Sequence, residues 1–365
     1  MLTLIATTLA ISAFSLFSLR KVALTYGLVD KPNTRKRHKG NIPFIGGIAL
    51  YITLFSISLI SPELIPNRDH FLISGFVLTL IGTVDDKLDI KASTRLYVLL
   101  TISFWLVLSK DISLSNLGNL FGNGDVVISH GNTLLTAAGI IGCISAFNMV
   151  DGIDGLLGAL ASVTFGSLSF LFYYAGEVQL AFFCFVFVLA LLPYILCNLE
   201  LIPKRSFKVF MGDSGSFLIG FTIIWLLIHS SQNIDGGSKE PVMNPVTALW
   251  IVAIPLMDMT MVMIRRIRKG KSPFKPDRLH LHHICTRLGL TSHQTSLLLF
   301  FIASTFAAFG IIAQITEVSE VVVLSLFLFT FSFYILVMSY VWRITVKLRK
   351  LFLSKTTVKR LKDIV

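Results

Sequence analysis

Charge is scarce in this chain. Only 14% of its 365 residues are charged, too few to cover the surface of a soluble globule of that size. Acidic residues are the scarcer sign, with 20 Asp and Glu against 32 Lys and Arg. The four cysteines, Cys143, Cys184, Cys197 and Cys285, include no CxxC pair, which gives no basis for a disulfide framework or a redox motif. No basic segment precedes the first apolar run. Arg20 and Lys21 follow it instead, so residues 2–19 lack the layout of a cleaved signal peptide and read as a retained span. The internal repeats that build many transporters are also missing.

What fills the space is apolar: hydrophobic residues make up 54% and the mean hydropathy is +0.77. A soluble core would need runs of about 10 to 14 residues, whereas many here approach the roughly 20 that cross a bilayer. The pattern predicts an all-α, polytopic integral membrane protein with about eleven spans, near 2–19, 44–60, 70–84, 96–109, 132–150, 155–175, 178–198, 214–231, 245–264, 294–313 and 320–341. Of the 32 Lys and Arg, 29 fall in alternate loops, leaving Arg68, Lys110 and Lys239 for the other set. By the positive-inside rule the N-terminus is then periplasmic and the C-terminus cytoplasmic. The net charge of +12 reads as topology and contact with anionic lipid, with no support for nucleic-acid binding. The tail 342–365, with eight basic residues among scattered leucines, is expected to lie along the inner surface.

Within this frame the acids cluster on the cytoplasmic edge. Asp85 and Asp86 end the third span, and Asp89 lies three and four residues on, so a continued helix would put all three on one face. Adjacent carboxylates repel, which calls for a metal ion or a shared proton, a solvated helix end being the blander alternative. Asn148 is followed by Asp151 and Asp154, spaced by Gly152 and Gly155, which let a ligand approach the backbone. This is no EF-hand, because the other ligand positions and the closing Glu are absent. Gly212-Asp213-Ser214-Gly215 matches the surroundings of a trypsin-like serine only by chance; a carboxylate at the entry of span eight, with backbone N–H groups facing an anion, suits it better. Gly270-Lys271-Ser272 lacks the first glycine and the strand of a P-loop. His280, His282 and His283 could ligate zinc, but no Cys or Glu partner stands at the usual spacing. Cations such as Arg265 and Lys208 with these histidines, beside an acidic rim, suit a pyrophosphate shared between Mg²⁺ and cationic donors.

These motifs, in this order, resemble the polyprenyl-phosphate N-acetylhexosamine-1-phosphate transferase family: Asp85-Asp86, Asn148 to Gly155, Phe210 to Ser216, and Pro273 to His283 with its Asp277 and HxHH ending. The ending, together with Asp30 to Asn33 and Arg35 to His38, is most similar to the branch using a GlcNAc donor for enterobacterial common antigen and O-antigen lipopolysaccharide; the peptidoglycan branch is the runner-up. The resemblance implies transfer of GlcNAc-1-phosphate from UDP-GlcNAc to undecaprenyl phosphate, with release of UMP and a need for Mg²⁺ or Mn²⁺. It implies Asp213, Asp85 and Asp86 as metal ligands, and Asp85, Asp86, Asp151 and Asp154 as catalytic. Asn148, His280, His282, His283, Arg265 and Lys208 would bind substrate. The expected layout is one transmembrane catalytic domain over 1–365 in the bacterial inner membrane. Its site is built from cytoplasmic loops near 85–95, 148–155, 199–216 and 265–293, and a homodimer is left open. A secondary transporter would also hold membrane acids, but these sit at one edge, Asp258 excepted. A scaffold protein would tolerate their substitution.

Overall fold

The computed structural model describes residues 1–31, 40–110, 112–201, 207–233, 240–273 and 279–341. The expected tail, Asp277, and most of the segment from Asp30 to His38 lie outside that set. Thirteen described helices follow one another: α1 Leu2–Tyr26, α2 Gly46–Ile60, α3 Arg68–Leu88, α4 Ala92–Lys110, α5 Asn132–Val150, α6 Leu156–Tyr174, α7 Val178–Asn198, α8 Gly212–Ser231, α9 Pro245–Ile251, α10 Ala253–Arg268, α11 Leu281–Arg287, α12 Ser292–Ile315 and α13 Glu320–Ser339. The chain is thus an all-helical, multi-pass membrane protein. Eight of these helices are long and apolar enough to cross a bilayer; α2, with 15 residues, is shorter, and α3 is not among the eight.

The span expected at 245–264 is broken. Helices α9 and α10 meet at an angle of 82°. Pro255 supplies the cause: it has no N–H for the carbonyl of Ile251, and its ring crowds that carbonyl, so the first helix stops and a second starts at Ala253. Asp89 also departs from expectation. It adopts a left-handed conformation, φ 50°, as the cap of α3, and this turns it off the face that holds Asp85.

Helix α8 forms the axis of the bundle, buried along nearly its whole length and packed by α2, α3 and α5. Apolar surface alone does not draw helices together in lipid, so their approach depends on small residues. A Cβ on Gly47 would lie 2.1 Å from the amide of Gly215, one on Gly82 2.4 Å from the Cα of Ser214, and one on Gly220 2.7 Å from the Cα of Ile144. Three neighbours therefore meet α8 backbone to backbone. A short antiparallel pair, β1 Val29–Asp30 with β2 Ile42–Pro43, continues the clamp. Phe210 N–H donates to the Pro43 carbonyl at 2.9 Å, and Gly46 and Gly47 donate back to the Phe210 and Met211 carbonyls at 3.0 and 3.1 Å. The start of α8 is thereby tied to the start of α2.

This packing predicts a contrast between two alanine substitutions. Gly82→Ala drives a methyl into the α8 backbone and is expected to cost about 1–3 kcal/mol, the usual cost of overpacking. Gly166→Ala, on α6 with nothing within 4 Å, should leave the melting temperature in detergent unchanged or slightly raised. Thermal unfolding of the two variants measures the difference, and equal melting would contradict the close approach.

Candidate active site

The site lies where the C-terminal ends of α3 and α5 meet the N-terminal end of α8. Because Gly82 lets α3 touch Ser214, Asp86 is delivered to the first turn of α8. Its carboxylate accepts from the backbone N–H of Asp213 at 2.8 Å and of Ser214 at 3.4 Å. The anion at this helix N-terminus, expected from sequence to be a ligand, is the protein's own aspartate, placed where backbone donors and the helix dipole favour it. Gly212, at φ 73°, makes room: a Cβ there would lie 2.4 Å from Asp86 Oδ2.

Each remaining acid has its own surroundings. Asp85, buried, accepts from Arg95 at 2.7 Å and from the Ile90 N–H at 2.9 Å, so the charge beside Asp86 is matched by a guanidinium. Arg95 also reaches Asp213 at 3.6 Å. Asp213 accepts from the Asn148 amide at 2.7 Å, and the same amide donates to Ser216 at 2.9 Å. Asp154 takes the Lys208 ammonium at 2.6 Å, while its backbone carbonyl accepts from Ser296 on α12 at 2.8 Å. The Asp151 carboxylate carries no hydrogen bond or ion pair among the described residues. Lost hydration pushes its pKa up to about 7, and repulsion from Asp213 and Asp154 adds to the rise.

The histidine segment covers this rim. His282 is buried, and its Nε2 has no hydrogen-bond partner among the described residues. It presses on the loop that follows α5: a Cβ on Gly152 would meet that nitrogen at 2.2 Å. Burial, then the neighbouring His283, lower its pKa to about 3, so His282 is neutral at physiological pH. Between this cover and α4 runs a cleft with two kinds of wall. Arg95, Asn148, Arg266, His280, His282 and His283 make the polar wall. Leu96, Leu99, Ile141, Ile144 and Phe217 make the apolar one.

Sequence reading and structure differ over which basic residue lines the cleft. Arg265 donates to the Met338 carbonyl at 2.5 Å, toward α13, and Arg266 takes the place in the cleft. Lys208 is engaged by Asp154. Three residues were not singled out from the sequence: Arg95, Arg266 and Asn198. The last is buried, accepts from Gly155 N–H at 2.6 Å and donates to the Val209 carbonyl at 2.9 Å, joining two site loops. Only a run of basic residues marked Arg266, and nothing marked a pairing across ten residues for Arg95 with Asp85.

Among the described residues no three His, Cys, Asp or Glu side chains converge into a preformed metal cage. The donor set still suits a magnesium-like ion, which is usually held by one or two carboxylates together with substrate phosphates. Among the described residues neither Asp86 nor Asp151 has a cationic partner, and Asp213 has only Arg95 at 3.6 Å; the oxygens of Asp86 are taken by backbone N–H groups, so the repulsion between Asp213 and Asp151 is what a divalent ion would relieve.

The glycosyl transferase family 4 profile matches residues 70–231, the stretch holding Asp85, Asp86, Asp151, Asp154 and Asp213. Over 330 residues the chain is 44% identical to the undecaprenyl-phosphate α-N-acetylglucosaminyl 1-phosphate transferase of Yersinia pestis, covering 90% of this chain and 89% of that one. The enzyme of the same name from Escherichia coli strain K12 is also 44% identical, over 90% and 88%. That from Haemophilus influenzae is 41% identical over 348 residues, 95% of this chain and 96% of the relative.

The Asp85–Arg95 pair yields a prediction. Arg95→Met leaves a buried carboxylate with one N–H donor and should lower stability by about 1–2 kcal/mol, discounted from the cost of a fully buried pair because Arg95 is partly exposed. Adding Asp85→Asn should restore part of that loss in a double-mutant cycle of thermal unfolding. Additive losses would show that the two side chains do not depend on each other.

Proposed function

The chain belongs to glycosyl transferase family 4 with the undecaprenyl-phosphate α-N-acetylglucosaminyl 1-phosphate transferases, and we propose that it transfers GlcNAc-1-phosphate from UDP-GlcNAc to undecaprenyl phosphate, releasing UMP. Beyond the relatives, one observation carries the reading: a single cleft joins an apolar wall to a wall of arginine and histidine, and two of its lining residues, Arg95 and Asn148, are bonded to Asp85 and Asp213 behind them. A lipid phosphate can lay its chain along Leu96, Leu99 and Phe217 while its head reaches the charged end, where a nucleotide diphosphate can also lie.

The chemistry is a displacement at phosphorus. An oxygen of the lipid phosphate attacks the phosphorus bearing the sugar, the bond from that phosphorus to the bridging oxygen breaks, and UMP departs with the oxygen. The nucleophile is already an anion, so the protein's work is alignment and charge neutralisation, without a covalent aspartyl intermediate. Arg95 and Arg266 donate to phosphate oxygens. Asp85 orients Arg95, Asn148 fixes the carboxylate of Asp213, and Asp86 fixes the first turn of α8. The pair Asp154–Lys208 holds the second loop against α12. Neutral His282, with His283 beside it, closes the nucleotide-sugar side. Mg²⁺, or Mn²⁺ in its place, would be held by Asp213 and Asp151 and would neutralise the pyrophosphate.

This reading places the protein in a bacterial inner membrane with its site facing the cytoplasm, at the first membrane step of enterobacterial common antigen or O-antigen synthesis. It counts eleven spans by adding α2, α3 and the bent α9–α10 pair to the eight, with a periplasmic N-terminus and a cytoplasmic C-terminus. The loops with 29 of the 32 basic residues support that orientation.

Purified protein supplied with UDP-GlcNAc, undecaprenyl phosphate and Mg²⁺ should release UMP and form lipid-linked GlcNAc; chelation should abolish both and added Mg²⁺ restore them. Asp213→Asn should lower turnover by about 100-fold or more without a change in melting temperature. Folded wild-type protein that released no UMP would refute the function, and wild-type turnover by Asp213→Asn would remove Asp213 from the site.

A further inference from the structure

One buried acid has no part in the chemistry above. Asp258 lies inside α10, three residues after Pro255, and is 2% exposed. An ionised carboxylate at such a depth survives only when its oxygens are satisfied. Three donors do this: His280 Nδ1 at 2.8 Å, the backbone N–H of Leu281 at 2.9 Å, and the Tyr334 hydroxyl from α13 at 2.9 Å. Two of the three belong to the segment that begins the histidine cover.

The consequences run through that segment. An acceptor at Nδ1 fixes the proton there, so the His280 ring presents Nε2 toward Arg266, 3.5 Å away at the cleft. Leu281 is the first residue of α11, so the same carboxylate also sets where the short helix starts. His282 stands on that helix, its ring parallel to His280 with centroids 5.6 Å apart, and abuts Gly152. Tyr334 donates from α13 to the same oxygen, Oδ1, that accepts the Leu281 N–H, and His280 Nδ1 bonds the other oxygen, Oδ2.

We propose that Asp258 is a positioning residue that acts through His280: it sets the ring's tautomer and the start of α11, and so holds the histidine cover against the Asn148–Gly155 wall for the nucleotide-sugar. This rests on the activity proposed above for the same cleft. Asp258→Asn keeps the volume and an acceptor for Leu281 and Tyr334, but its NH₂ group would face His280 Nδ1 and favour the other tautomer. The acceptor lipid, lying along α4 and α5, should notice little.

Kinetics and hydrogen exchange of the full-length protein in detergent test this separately. With Asp258→Asn, kcat/KM for UDP-GlcNAc should fall about tenfold or more, the usual loss when a group that orients a site histidine is changed, while KM for undecaprenyl phosphate stays at the wild-type value. In a His280→Ala background the same substitution should add almost nothing, because its effect is transmitted by the missing ring. Independently, Asp258→Ala should speed amide exchange across α11 with α5 and α8 unchanged. Additive losses, an equal loss for the lipid, wild-type kinetics, or unaltered α11 exchange would each overturn the proposal. If Asp258→Ala does not fold, the Asp258→Asn cycle decides. A wild-type protein that releases no UMP would refute the activity instead, leaving the exchange measurement to judge the anchoring of α11.

Discussion

The contact between the backbones of α3 and α8, possible only because residue 82 has no side chain, is the constraint on which the site depends. It brings Asp86 within reach of the N–H groups of Asp213 and Ser214 and so fixes the relative height of two helices. Widening that gap by one methyl would separate the aspartate from its donors and carry Asp85 and Arg95 away from Asp213. Gly47 and Gly220 repeat the device on other sides of α8, so that three helices are registered against one axis without a soluble protein's hydrophobic drive.

Charge is distributed by the same logic. A membrane protein can keep acids at a rim only by giving each a counterpart or leaving it a purpose. Asp85 has Arg95, Asp86 has amides, Asp154 has Lys208 and Asp258 has His280 and Tyr334. Asp151 has none among the described residues, and Asp213 has an amide and a more distant guanidinium. The two least-matched carboxylates are neighbours beside the cleft, where a cation and substrate phosphates would complete them. The acids whose oxygens are taken by partners form the frame, and Asp151 and Asp213 are its working surface.

Much of this was legible in the sequence. Apolar runs near bilayer length predicted helices α5, α6, α7, α8, α12 and α13 with ends close to those observed, and α1 with an end seven residues short of Tyr26, because in lipid backbone groups must be satisfied within the segment. Asp85, Asp86, Asn148, Asp151, Asp154 and Asp213 stand out as polar groups against apolar flanks, and the structure gathers them. The exceptions have local causes. Pro255 breaks a run whose hydropathy is continuous, Asp89 turns off its helix, and Arg265 and Arg266 differ only in which side of α10 each occupies.

Sequence alone determined the chemical inventory: apolar spans, one-sided basic loops, and acids, glycines and histidines at the ends of particular runs. Those properties follow from local composition and from the bilayer's demand that backbone polarity be satisfied inside each helix. Tertiary structure decided the partnerships. Asp86 and Asp213 are 127 residues apart, and Asp258 and Tyr334 are 76 apart, yet each pair shares a hydrogen bond. Nothing in the spacing of either pair announces the contact, because it depends on how helices cross, and the crossings are set by shape at glycines and by the balance of charge in a place with little water.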